Sequence, residues 1–355
     1  MRYSILIFSF FLISKIGFSQ NDNYKQMRLF NKLWTKIDEN YPSFKLKGID
    51  WHEMYNYIKP KVSPTLTQEQ LMDTLSLMLR PLNDGHVGVS MIKFFPLRVP
   101  KDFIAERKSQ FYSEFKNDSL VNRLFYASNL TLQRHNFKSL NNGYNCDKSI
   151  IDFTESDKYG YIHISHMEGI SKREVRDKMK TIISELTKLE GLIIDVRDNK
   201  GGLDQISDLI TSYFIDSLIV ARFEQTRINK TYDSFSMPKT IEIKPSKKLR
   251  FTKNIVILTN DRTRSAGEYI VLSLKDLSYV KVVGDRTEGM LGGSKIGFLP
   301  YGWIYGFNKW KVTSRYGVWY EDVGIPPDYL IQNKIGNLEN LTDPLIEKAI
   351  ELFEN

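Results

Sequence analysis

Four short segments carry residue types that can do covalent chemistry. The first is Ile255–Lys275, IVILTNDRTRSAGEYIVLSLK. An apolar run enters a polar turn, and Ser265, Ala266 and Gly267 then open a helical pattern. Backbone N–H groups at a helix start point outward unpaired, and the helix dipole favours negative charge developing there. Ser265 therefore suits a nucleophile, although serine is equally a favoured helix N-cap. The second segment is Gly191–Gly202, GLIIDVRDNKGG. Gly201 and Gly202 can turn their amides toward an oxyanion, or can simply form a turn before the next helix. The third is Pro81–Val89, PLNDGHVGV. His86 follows Asp84–Gly85, a turn signal, and a histidine exposed on a tight turn can act as a base. A lone histidine often has no such role. The fourth is Gly317–Asp328, GVWYEDVGIPPD, where Glu321 is either an ordinary loop acid or a carboxylate that orients a histidine.

In this order the segments resemble the family of C-terminal processing serine peptidases, which includes the tricorn core and the interphotoreceptor retinoid-binding proteins. DGH, LIIDVRDNKGG, LTNDRTRSAGE, VVGDRTEG and GIPPD are similar to that family's blocks. The likeness runs from about Tyr24 to the C-terminus, with Val87–Asp157 poorly matched. It implies an α/β fold: a ClpP/crotonase-like core with a parallel-rich sheet, behind a small helical N-terminal region. It also implies that Ser265 is the nucleophile. The Ala266 amide and one from Gly201 or Gly202 would form the oxyanion hole. The family divides on its general base. One branch places a lysine directly after a T-x-G element. Here that element is Thr287–Glu288–Gly289 and Met290 follows, a thioether that cannot accept a proton. Lys295 lies too far along to substitute. The resemblance to the tricorn-like branch implies His86 as base and Glu321 as the carboxylate completing the site. Gly85 stands where the tricorn core has a serine. No metal or cofactor is implied, and the implied partner is a peptide or unfolded protein. Some relatives bind ligands on this scaffold, so a catalytically idle binder of peptides or apolar ligands is the alternative. Retention of Ser265, His86 and Glu321 together favours the enzyme.

The elements that must position these residues are legible in part. Met27, Leu29, Phe30, Leu33 and Ile37 have helical spacing, and Thr67 with Gln70 forms a capping-box pattern before Leu71, Leu75 and Leu79. Residues 20–86 thus read as a helical region. Residues 87–157 resist assignment, but they lack the glycine-rich loop and compact strands of a PDZ module. From 158 to 355 the pattern is α/β. Tyr159–Ser165, Gly191–Val196, Asn254–Thr259 and Val280–Val283 read as strands. Lys172–Leu189, Leu203–Phe214 and Ser265–Lys275 read as helices between them, so the sheet should be largely parallel. Lys295–Thr313 alternates aromatic and polar residues, as antiparallel strands do. Thr342 and Asp343 before Pro344 signal a last helix.

With 355 residues, 41% of them hydrophobic and 26% charged, the chain is ordinary globular material of about two domains. Its net charge of +8 is spread out, and no basic stripe suggests a nucleic-acid partner. The single cysteine, Cys146, rules out an internal disulfide and multi-cysteine zinc sites. His163 and His166 sit three apart on a strand without acidic ligands, a poor zinc pattern. Nothing in the pattern fixes an oligomeric state. Residues 1–19 read as a signal peptide: Arg2, then the apolar stretch Ile5–Ile13, then Gly17 and Ser19 at the −3 and −1 positions. That stretch is too short to span a bilayer, so a periplasmic or secreted protein without stable membrane insertion is expected. N-terminal sequencing of envelope or secreted material should therefore find a chain starting near Gln20, and a chain still carrying Met1 would contradict this.

Overall fold

The apolar spacing after Tyr24 folds into three helices, α1 (Lys25–Asn40), α2 (Trp51–Ile58) and α3 (Gln68–Leu79). The capping box at Thr67 and Gln70 forms as its sequence indicates. This computed structural model describes residues 24–91, 103–105, 109–140, 150–228, 231–247 and 249–355. The expected signal peptide, Cys146 and the Asn141–Gly143 turn lie outside these residues.

After α3 a short turn of 3-10 helix ends at Asn83, whose φ of 45° is left-handed. The chain then runs straight into a strand, β1 (Asp84–Met91). The strand crosses residue 86, where the helical region was expected to end. A short strand β2 (Phe103–Ala105) pairs with it. Two helices follow, α4 (Gln110–Glu114) and α5 (Asp118–Arg134). Asn117 caps α5 by accepting from the Leu120 N–H. The segment that resisted assignment thus contains a 17-residue helix, disguised by Asn, Arg and Ser among its apolar positions.

The remainder alternates as its pattern predicts. It contains β3 (Ile151–Glu155), β4 (Tyr159–Ile164), α6 (Lys172–Leu186), β5 (Gly191–Asp195), α7 (Asp204–Thr211), β6 (Ile219–Gln225) and β7 (Lys239–Ile243). Then come β8 (Asn254–Thr259), α8 (Ala266–Leu274), β9 (Val280–Gly284), β10 (Ser294–Leu299), β11 (Trp303–Asn308), β12 (Lys311–Ser314), β13 (Tyr329–Leu330) and α9 (Pro344–Glu354). The central sheet has the order β13-β9-β8-β5-β4-β3 and is parallel except where β3 pairs with β4. Its strands β4 and β5 are buried throughout, because helices cover both faces.

Two smaller antiparallel sheets flank it. One, β12-β6-β7, includes two strands that the sequence reading did not anticipate. The other, β10-β11-β1-β2, joins the histidine segment to the late aromatic strands. Leu299, Trp303, Tyr305 and Phe307 of that sheet pack into one core with the N-terminal helices. The helical region is therefore a cover for this sheet rather than a separate body.

A buried ionic network fastens α5 and α9 to the central sheet. Arg197 is 1% exposed and pairs with Asp195 and, at 2.7 Å, with Asp343. Asp343 is the N-cap of α9, and its other contacts are Ser128, Thr131 and Asn333. Removing one member of such a cluster leaves a buried charge without its partner. Arg197→Ala should accordingly cost about 3–5 kcal/mol in urea unfolding at neutral pH. A loss below 1 kcal/mol would mean that the network is solvated.

Candidate active site

Loops leaving the C-terminal ends of β5 and β8 clasp each other. Asn260 accepts from the N–H groups of Asp198 and Arg262, and Thr263 donates its hydroxyl to the Val196 carbonyl. The Arg264 N–H donates to the Asn199 carbonyl at 3.1 Å. Ser265 follows as the N-cap of α8, with φ 52° and ψ −124°. A non-glycine residue rarely adopts this conformation, which costs of order 1–3 kcal/mol.

Gly201 lies directly against this serine. A Cβ at Gly201 would sit 2.7 Å from Ser265 Cβ and 3.2 Å from its Oγ, and its φ is +81°. Only glycine fits there. The two adjacent glycines differ in their amides. The Gly201 N–H donates to Asn199 Oδ1 at 2.9 Å. The N–H groups of Gly202 and Ala266 have no acceptor among the described residues. Asn199 was missed in the sequence reading. It also donates to the Ile164 carbonyl and fills the space that a side chain at position 267 would need. Its signal was present in DNKGG, but a loop asparagine alone does not announce it.

Glu268, one turn into α8, gathers four donors on a wholly buried carboxylate. They are the Ser265 N–H at 3.1 Å, the Thr287 hydroxyl at 2.6 Å and the N–H groups of Gly289 and Met290. Burial pushes its pKa up to about 7 even though the donors favour the charged form. The Ser265 N–H also donates to the Met290 carbonyl at 3.2 Å. Met290 is thus bound to the serine by its backbone, and its side chain is buried. Lys295 is exposed on β10. The Thr287 hydroxyl accepts from the Ile325 N–H, and Gly289 and Gly324 meet with no room for a Cβ on either. This contact explains the glycines of the TEG and GIPPD segments.

His86 corrects one expectation. It was read as exposed on a tight turn, but it lies on β1 with a side chain 7% exposed. The left-handed Asn83 takes the reversal, so Asp84–His86 are already extended. The imidazole Nδ1 is buried without a hydrogen-bond partner, 3.6 Å from Asp84 Oδ1. Burial lowers the imidazole pKa, Asp84 opposes that shift, and the Arg264 guanidinium adds to it. Arg264 is the residue before Ser265, so the histidine strand and the serine turn share one electrostatic environment.

Glu321 is 1% exposed. Its carboxylate accepts from the N–H groups of Leu291 and Gly292 at 3.1 and 3.2 Å and from Asn308 Nδ2 at 2.9 Å. No hydrogen bond joins it to His86. Burial drives its pKa well above the usual carboxylate range; Asp84 and Glu268 add to the rise, while Lys47 opposes it. A small pocket beside Glu321 is lined by Lys47, Asp84, Gly85, Met290 and Asp322 among others.

His163 is buried on β4, and His166 is bonded to Ser165 at 2.9 Å. Among the described residues no three His, Cys, Asp or Glu side chains are placed to hold a metal ion.

Residues 158–331 match the sequence profile of Peptidase family S41, and residues 21–80 match that of the Tricorn protease C1 domain. The tricorn protease of Thermoplasma acidophilum is 29% identical over 54% of this chain and 16% of its own length. The carboxy-terminal processing protease CtpA of Bacillus subtilis is 29% identical over 37% of this chain and 26% of its own. The chain thus spans only a minor part of these curated relatives. A crystal structure of a candidate peptidase from Parabacteroides merdae covers 93% of this chain and 97% of that one, with 26% identity and a TM-score of 0.74. The crystal structure of the tricorn protease shares the fold, with a TM-score of 0.55 over 93% of this chain and 37% of that one.

Glu268→Ala would strand the buried N–H groups of Gly289 and Met290 and the Thr287 hydroxyl. It should cost about 2–4 kcal/mol, read as a lowered Tm. An unchanged Tm would show that water can replace the carboxylate.

Proposed function

We propose that this chain, a member of peptidase family S41, is an exported serine-type peptidase that works through a serine acyl-enzyme with histidine as base. One observation carries the reading. A backbone-strained serine stands at a helix N-terminus, and the N–H groups of the adjoining Ala266 and of Gly202, next to the Gly201 that packs on the serine, have no acceptor among the described residues. Free donors beside a nucleophile support an oxyanion hole. The Gly201 amide is already committed to Asn199, so its role is to admit Ser265 rather than to donate.

In this mechanism Ser265 Oγ attacks the scissile carbonyl carbon and His86 Nε2 takes the hydroxyl proton. The Ala266 and Gly202 N–H groups stabilise the oxyanion. The tetrahedral intermediate collapses as His86 returns the proton to the leaving amine. A water then enters, and the same histidine removes its proton to release the acyl group. Lys295 has no part, being exposed on β10. The substrate is a peptide or unfolded protein. Export rests on the Arg2 and Ile5–Ile13 pattern. It is compatible with the absence, among the described residues, of any helix long and apolar enough to cross a membrane.

A fluorophosphonate probe should label the mature chain, and Ser265→Ala should abolish labelling. His86→Ala should slow acylation by about 10²–10⁴-fold, and Lys295→Ala should leave it unchanged. A base must be neutral to act, and burial holds the His86 pKa below 6.5. Activity should therefore persist into mildly acidic solution, falling only below pH 6.5. Failure of wild type to label, with peptide binding intact, would replace the enzyme by a binder.

A further inference from the structure

A histidine base needs one nitrogen held while the other works, and the site holds two buried acids, Asp84 and Glu321, that could be assigned that task. We propose that Asp84 orients the His86 imidazole, and that Glu321 instead holds the Leu291–Gly292 loop behind the serine. The inference rests on the reading of His86 as the base.

Geometry separates the two acids. Asp84 Oδ1 is 3.6 Å from His86 Nδ1, and no other carboxylate oxygen among the described residues comes as near. The same Oδ1 accepts the backbone N–H of His86 at 2.9 Å, which fixes the carboxylate relative to the ring it faces. The Tyr41 hydroxyl donates to Oδ2 at 2.9 Å, so the acid is held from both sides. Tyr41 belongs to the N-terminal region and is fully buried. Glu321, by contrast, spends both oxygens on Leu291, Gly292 and Asn308. Turning it toward the imidazole would strand two buried N–H groups.

His86 Nδ1 has no other partner, and a buried ring nitrogen without one is costly. A movement of a few tenths of an ångström closes 3.6 Å to a hydrogen bond, a tightening common between free and acylating sites. In the step itself the Ser265 proton goes to Nε2. The Nδ1 proton stays on the ring and is donated to Asp84, which remains ionised. The Nε2 proton leaves with the amine.

The charges around the pair set the direction of the test. Asp84 on the same strand raises the imidazole's proton affinity, while burial and Arg264 from the serine turn lower it. Asp84, Lys47 and Glu268 all act on Glu321, which is not among the groups that move the imidazole. Removing the Asp84 charge must therefore lower the imidazole pKa, and removing the Tyr41 hydroxyl, which shields that charge, must raise it.

The experiment is an NMR titration of the His86 imidazole in the full mature chain. It compares wild type with Asp84→Asn, Glu321→Gln and Tyr41→Phe, with fluorophosphonate labelling rates measured on the same samples. Wild type should hold the Nδ1–H tautomer. Asp84→Asn should lower the imidazole pKa by about one pH unit or more, mix the tautomers and slow labelling by about 10²-fold or more. Tyr41→Phe should raise the pKa. Glu321→Gln should leave the tautomer and pKa in place while lowering Tm. The assignment is overturned if Glu321→Gln moves the titration and Asp84→Asn does not. If Asp84→Asn fails to fold, Tyr41→Phe decides: an upward shift supports Asp84 and an unmoved titration rejects it. Loss of labelling in wild type with the titrations as expected would defeat the peptidase reading alone.

Discussion

The carboxylate of Glu268 is the interaction on which the candidate site depends. It accepts at once from the serine's own N–H and from three donors of the 287–290 loop. Ser265 is held at positive φ, a conformation that a free chain would abandon. The strain persists because relaxing it would break bonds at both ends of the clasp. Hydrogen bonds in a dry interior are strong, and a donor left alone there costs more than the bond contributed. The clasp therefore acts as a unit. It also explains how Met290 remains structurally engaged although it has no proton to exchange.

From that point the site spreads outward by contact. The 287–292 loop is bound to Glu268 at one end and to Glu321 at the other. Glu321 reaches β11 through Asn308, and β11 pairs with the histidine strand β1. The N-terminal helices close the back of that strand. Tyr41 meets Asp84, and Lys47, only 6% exposed, pairs with Asp322 at 2.6 Å. A region that looks like mere packing in the sequence thus supplies a hydroxyl to Asp84 and an ammonium group that acts on Glu321. Three acids, Asp84, Glu268 and Glu321, share this interior. Each is given donors of its own, and burial raises the pKa of Glu268 and Glu321, which limits the charge that must coexist there.

The family likeness and the geometry bear on different parts of this picture. The match to Peptidase family S41 over residues 158–331 covers the serine, the glycine loop and Glu321. The tricorn C1 match ends at residue 80, just short of His86. What ties the histidine segment to the rest is the antiparallel pairing of β1 with β11, which no family match describes.

Much of the fold was legible because it rests on local rules. Apolar runs of five or six residues between amphipathic helices specify a parallel sheet, and Thr67, Asp343 and Pro344 mark helix starts by their own chemistry. The segments around positions 86, 265 and 321 stand out by residue type, since few side chains can do covalent or proton-transfer chemistry. Other features needed the folded chain. His86 looked like a turn residue because Asp-Gly favours turns, but Asn83 takes the reversal at positive φ and Asp84 already pairs with Ala105 of β2. The helix at Asp118–Arg134 gains its stability from burial against distant residues such as Leu338, which no local window can see. Which glycine amide is free, and which acid faces the imidazole, depended on contacts between residues far apart in sequence. Periodicity and residue type set what each segment can become, whereas hydrogen-bond partners are allotted only when the interior closes and every buried donor must find its acceptor.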